Sequence, residues 1–134
     1  MAIPIEQVAS HWIVLTRAKG RASDEEHERG SVLYDLARAE PERAWEIIIQ
    51  VVSRYEEADL FSEGETDAKH IVCNTAAGPL EDLLAKHGHV FIERVEAIAR
   101  QDRRFFWALG CVWQNSMTDE IWSRVQRAAG AISR

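Results

Sequence analysis

The stretch from Ala76 to Gly88 constrains this chain more than any other. Leu80, Leu83, Leu84 and His87 recur at i, i+3, i+4 and i+7, the spacing of one helical face. Pro79 suits the first turn of a helix, where its missing N–H is no loss, so Gly78-Pro79 reads as the end of one element and the start of the next. Gly88 is placed to close that helix in a left-handed conformation. A helix with one apolar stripe must bury it against neighbours, and the apolar run continuing to Trp113 supplies them. The β-branched run Ile47 to Val52 would also suit a buried strand, but Pro41 starts a helix there and no second strand of comparable quality exists. The expected fold is all-α: one compact domain of about six to eight helices.

Taken in order, Ile5 to about Arg17 forms a helix with Val8, Trp12 and Leu15 on its inner face, stopped by Gly20. Ser23 and Glu26 make a capping box for a helix running to about Ala39. The next helix, from Pro41, carries Trp45, Ile48, Ile49 and Val52 inward. Six acids and no base lie between Glu56 and Asp67, with Gly64 among them, which reads as an exposed loop or frayed helix end. A short helix from Asp67 to about Ala76 precedes the central stretch. Beyond Gly88, a helix over 89–100 buries Phe91, Val95 and Ile98, with Glu96 and Arg100 spaced as an i, i+4 pair. Asp102 is a plausible cap for the next helix. Its residues Phe105 to Trp113 are apolar almost all round, which predicts the most buried element, with Leu109 fully enclosed and Trp107 at the core's edge or in a homodimer contact. Thr118 caps a last helix with Ile121 and Val125 inward.

The net charge of −6 is unevenly spread. Residues 1–67 hold 15 acids and 7 bases, a balance of −8, and residues 68–134 hold 7 acids and 9 bases, a balance of +2. Phosphate backbones would be repelled by the first half, so nucleic acid is an unsuitable partner there. A basic protein surface is a suitable one, met faster through electrostatic steering. No apolar run is long enough to cross a membrane. Cys73 and Cys111 form no C-x-x-C pair, and two cysteines make no disulfide scaffold, so both are expected to be reduced and buried in a cytoplasmic protein.

Arg38 to Ile47 and Arg100 to Leu109 share an arginine, an acid two residues later, then Trp45 or Trp107 followed by an aliphatic residue. If this is a repeat, it implies two stacked helical hairpins of the HEAT type. The combination of Pro41-Glu-Arg-Ala-Trp45, Ala77-Gly-Pro-Leu-Glu-Asp-Leu-Leu84, His87-Gly88, Phe91-Ile-Glu-Arg-Val-Glu96, Arg104-Phe105 and Val112-Trp113 resembles a family of small bacterial domains of unknown function. The resemblance implies an all-helical single domain and no activity, and carries over no functional residue.

Catalytic and ligand chemistry is thinly supplied. The five histidines are scattered, and none pairs with another at helical spacing as a metal site would need. No glycine-rich phosphate loop is present, so no cofactor is expected. Arg100, Arg103 and Arg104 read as a solvated basic face. Glu81 and Asp82, with His87 on the same helix, are the one constellation suited to general acid–base work or ligand binding, although first-turn acids also serve the helix dipole. The charge pattern favours a different function: a non-catalytic binding protein of inhibitor or immunity type, meeting a basic partner through Glu56, Glu57, Asp59, Glu63, Glu65 and Asp67.

Overall fold

The computed structural model describes residues 3–130. Among these the regular structure is all helical: α1 (Ile5–Arg17), α2 (Asp24–Gly30), α3 (Val32–Ala39), α4 (Pro41–Ser53), α5 (Glu57–Leu60), α6 (Asp67–Thr75), α7 (Glu81–Gln101), α8 (Arg103–Leu109) and α9 (Asp119–Ala128). Local chemistry sets most of the starts. Ser23 and Glu26 form the capping box of α2, Pro41 occupies the first turn of α4, and the hydroxyls of Thr66 and Thr118 accept from Lys69 N and Ile121 N to cap α6 and α9. Gly20, at φ +85°, turns the chain out of α1.

The core forms where α1, α3, α4, α6 and α7 meet. Ile47, Ile48, Val51, Ile71, Leu83, Phe91 and Phe105 are fully enclosed there. Trp45 leans on Phe91 and Phe105, with ring centroids 5.6 and 5.7 Å away. Thr75 is the buried polar residue of this core: it accepts from Trp12 Nε1 at 2.9 Å and donates to Ile71 O at 2.7 Å, so neither group is left unsatisfied.

Four sequence expectations change. The helix after the capping box divides at Ser31, giving α2 and α3. Gly78-Pro79 does not separate two helices. Ala76–Leu80 is a π-helical turn joining α6 to α7, and Glu81 N donates back to Ala76 O. A π turn tolerates Pro79 because its widened ladder already omits regular hydrogen bonds. Gly78 is needed there, since a Cβ would fall 2.4 Å from the hydroxyl of Tyr34 on α3. A break does fall where the helix was expected to end, but not through a left-handed Gly88: His87 leaves helical backbone (φ −131°, ψ 27°), a second helical stretch completes α7 beyond it, and Gly88 lets α9 approach, a Cβ there lying 3.0 Å from Ile121 Cγ2. Finally, the helix from Asp102 stops at Leu109. Phe105 is fully buried and Leu109 is 2% exposed, as the periodicity required, but Phe106 is 37% and Trp113 73% exposed, so the run is not buried all round.

The cysteine expectation is also corrected. Cys73 on α6 and Cys111 just beyond α8 are joined in a disulfide, their Cα atoms 5.4 Å apart. The bridge ties the chain after α8 to the rod that begins at α6, and both residues are half-buried. No described helix is long and apolar enough to cross a membrane.

Candidate functional site

Glu81, Asp82 and His87 lie on α7, as their spacing required, but they serve different neighbours. Glu81 sits in the first turn, and its carboxylate accepts from Trp113 N at 2.8 Å and from Asn115 Nδ2 at 3.1 Å. It therefore fixes the turn after α8, where Asn115 adopts φ +52°. Asp82 is half-buried near Tyr34, whose phenol is raised above its ordinary value first by burial and then by the charges of Asp82 and Glu81. His87, at the kink, has Nε2 3.0 Å from Arg38 O. A carbonyl oxygen can only accept, so that ring nitrogen carries the proton. The structure thus directs the three groups to the 113–115 turn, to the side of α3 and to the end of α3. Nor does any group of three or more His, Cys, Asp or Glu able to hold a metal gather among the described residues.

The acidic segment is more ordered than its composition suggested. α5 interrupts it, and Leu60, 1% exposed, anchors it to the core. Ser62 Oγ and Thr66 Oγ1 both donate to Asp59 O, and the Lys69 ammonium donates to the carbonyls of Ser62 and Gly64. Gly64 makes the turn at φ +77°. Two of the six acids face partners within the chain. Asp67 accepts from Arg17 Nε and Nη2 at 3.0 and 2.7 Å, which holds its carboxyl below the usual range, and Glu57 pairs with Arg103 at 2.6 Å. The Arg103 guanidinium also lies 4.5 Å from the centre of the Phe61 ring, which is 43% exposed. Glu56, Asp59, Glu63 and Glu65 are exposed on the same segment. The segment therefore presents a braced loop with four outward carboxylates and an aromatic side chain among them.

The basic cluster also resolves into separate roles. Arg104 binds Asp102 and donates to the carbonyls of Ser53 and Tyr55, so it joins the start of α8 to the end of α4. Arg103 belongs with Glu57. Arg100 was expected to pair with Glu96, but Glu96 is taken by Arg124 of α9 through bonds of 2.9 and 2.5 Å. The i, i+4 spacing made the first pairing available; a bidentate fork from a packed neighbour outcompetes it.

Two surface features had no signal in the sequence. Trp113 is a highly exposed tryptophan whose backbone is held by Glu81, and beside it Leu109, Val112, Trp122, Val125 and Ala129 line an apolar groove of about 210 Å³. A larger groove, about 440 Å³, lies between the last turns of α7 and α9 and contains Arg100, Arg127 and Phe106. Neither follows from spacing within a helix, because each depends on which helices are adjacent in space.

No curated protein and no solved structure matches the chain. A family signature does match, over residues 18–132, so that every feature described above from α2 onward lies within it. The chain belongs to a family of unknown function (DUF6869).

Proposed function

We propose that this protein is a non-catalytic binding domain that masks a basic protein surface, as an inhibitor or immunity protein would. The observation that carries this reading is the braced acidic segment. Glu56, Asp59, Glu63 and Glu65 are exposed on backbone already fixed by Leu60, Thr66 and Lys69, with Phe61 among them. A fixed loop loses little conformational entropy on binding, and an exposed aromatic side chain on an acidic segment suits a contact that is both steered and specific. The separate partners of Glu81, Asp82 and His87 add no competing cleft chemistry. The disulfide suits an oxidising compartment better than the cytoplasm, and the acidic surface would work in either.

The test uses the wild-type chain and a variant with Glu56, Asp59, Glu63 and Glu65 all changed to Lys. A partner captured on the wild type is purified, and its association rate with both proteins is measured at low and high salt. The on-rate should fall about tenfold or more at low salt and lose its salt dependence in the variant. Equal on-rates would reduce the segment to a solvated loop.

A further inference from the structure

The groove between the last turns of α7 and α9 gathers two of the bases of the positively charged second half of the chain. Its lining includes Glu96, Arg100, Phe106 and Arg127, over a floor of Ala99 and Ala128. Glu96 is already neutralised: Arg124 holds both carboxylate oxygens, and this hydrogen-bonded pair, helped by the charges of Arg100 and Arg127, lowers its pKa below the ordinary value. Arg100 and Arg127 are exposed, and neither guanidinium makes an ion pair or hydrogen bond with the described residues. Both lie in the last turns of their helices, whose C-termini contribute roughly half a negative charge each. Two guanidinium charges against those two half charges leave the groove positive by about one. This matches the +2 balance of residues 68–134 and contrasts with the −8 of residues 1–67.

We infer that this groove binds a phosphate monoester carried on a flat apolar body. Two guanidinium forks from different helices match phosphate oxygens, which accept in the bidentate geometry that arginine offers. The ring of Phe106, 37% exposed, and the two alanines give the apolar body a wall and a floor. A bare anion would use only the arginines and leave that surface wet. A neutral aromatic would use only the surface and leave the charges unanswered. The inference is independent of the acidic segment.

The probes are phenyl phosphate, inorganic phosphate and phenol, titrated into the full chain and followed by amide shifts of Ala99, Arg100 and Arg127. Phenyl phosphate should bind at least about tenfold more tightly than either fragment. The Arg100→Gln/Arg127→Gln double variant should lose that binding while its melting temperature falls by no more than about a few degrees, since both side chains are exposed and contribute only their charge at the helix ends. Phe106→Ala should erase the preference for phenyl phosphate over inorganic phosphate. The lysine variant of the acidic segment should bind phenyl phosphate as the wild type does. Unchanged binding in the double arginine variant, or equal affinity for phenyl phosphate and inorganic phosphate in the wild type, would overturn the inference. A lowered melting temperature in the variant with no phosphate binding in the wild type would assign both arginines to their helix ends alone.

Discussion

α4 and α8 read alike as apolar helices, yet they are held in place by different means. α4 runs for thirteen residues and buries Ala44, Ile47, Ile48 and Val51 completely, with no side-chain cap at its start. α8 has seven residues, of which Phe105, Ala108 and Leu109 are buried, and it is secured at its ends. Asp102 accepts from Arg104 N at 2.9 Å, Arg104 reaches two carbonyls at the end of α4, Cys111 is bonded to Cys73, and Glu81 holds the turn beyond. A long helix can rely on its face, because each turn adds buried area. A two-turn helix cannot recover its nucleation cost that way, so its position depends on caps and cross-links.

The sharpest test of that contrast is truncation in each core. Ile47→Ala and Leu109→Ala should each cost about 2–5 kcal/mol by urea denaturation. Ile47, enclosed on all sides, should lie nearer the top of that range. Leu109 also borders the open groove by Trp113 and should lie nearer the bottom, because its surroundings can relax. The reverse order would mean that α8, not α4, is the better packed. The disulfide comes next. It joins residues 38 apart, and its reduction, or the Cys73→Ser/Cys111→Ser variant, should lower stability by about 2–4 kcal/mol. Hydrogen exchange should then quicken across 103–113 while the amides of α4 still exchange only with global unfolding. Uniform loosening of both helices would erase the distinction.

The smallest effect separates the two starts by pH. The hydrogen bond from Arg104 holds the Asp102 carboxyl below its ordinary value. A lowered folded-state pKa contributes stability that is present above the unfolded value, about 3.9, and is lost as pH falls through the folded one. Asp102→Asn should therefore remove part of the acid limb of the stability curve below about pH 5, and Asp102→Ala should cost about 1 kcal/mol at neutral pH through the lost cap. Glu42 in the first turn of α4 is also lowered, by Arg94, but this pair is exposed. Glu42→Gln should leave the acid limb almost unmoved. An equal response from both would show that α8 does not depend on its cap.

What could be read from the residues was local. Ser23 with Glu26, Pro41, Thr118 and Gly20 act on backbone within a turn of themselves, so their consequences followed without knowing the fold. The all-helical class and the burial of Leu109 followed from periodicity. What could not be read was the choice among partners. Cys73 and Cys111 meet only once α6 and the chain after α8 are neighbours, and Arg124 displaces Arg100 at Glu96 only because α9 packs on α7. Trp113 failed for another reason: an apolar run shows which residues favour burial but not where the helix carrying them stops. The carboxylates of 81 and 82 were correctly placed on a first turn, but their neighbours, a turn thirty residues away and a half-buried phenol, were a matter of tertiary structure.

The π turn and the kink at His87 also solve a problem of phase. From Ala68 to Ile92 the enclosed positions recur every four residues: 68, then 71 and 72, 75 and 76, 79 and 80, 83 and 84, 88, and 91 and 92. A regular helix has about 3.6 residues per turn, so a four-residue repeat drifts by about 40° at each step and would wind its apolar stripe around to the solvent side. A wider turn rotates each residue by less, and the π segment runs that drift backward. The π turn thus offsets part of the drift, and the kink at His87 interrupts the regular winding again. A chain lacking one residue of Ala76–Leu80 would carry the same side chains in the same order, pointed at the wrong neighbours.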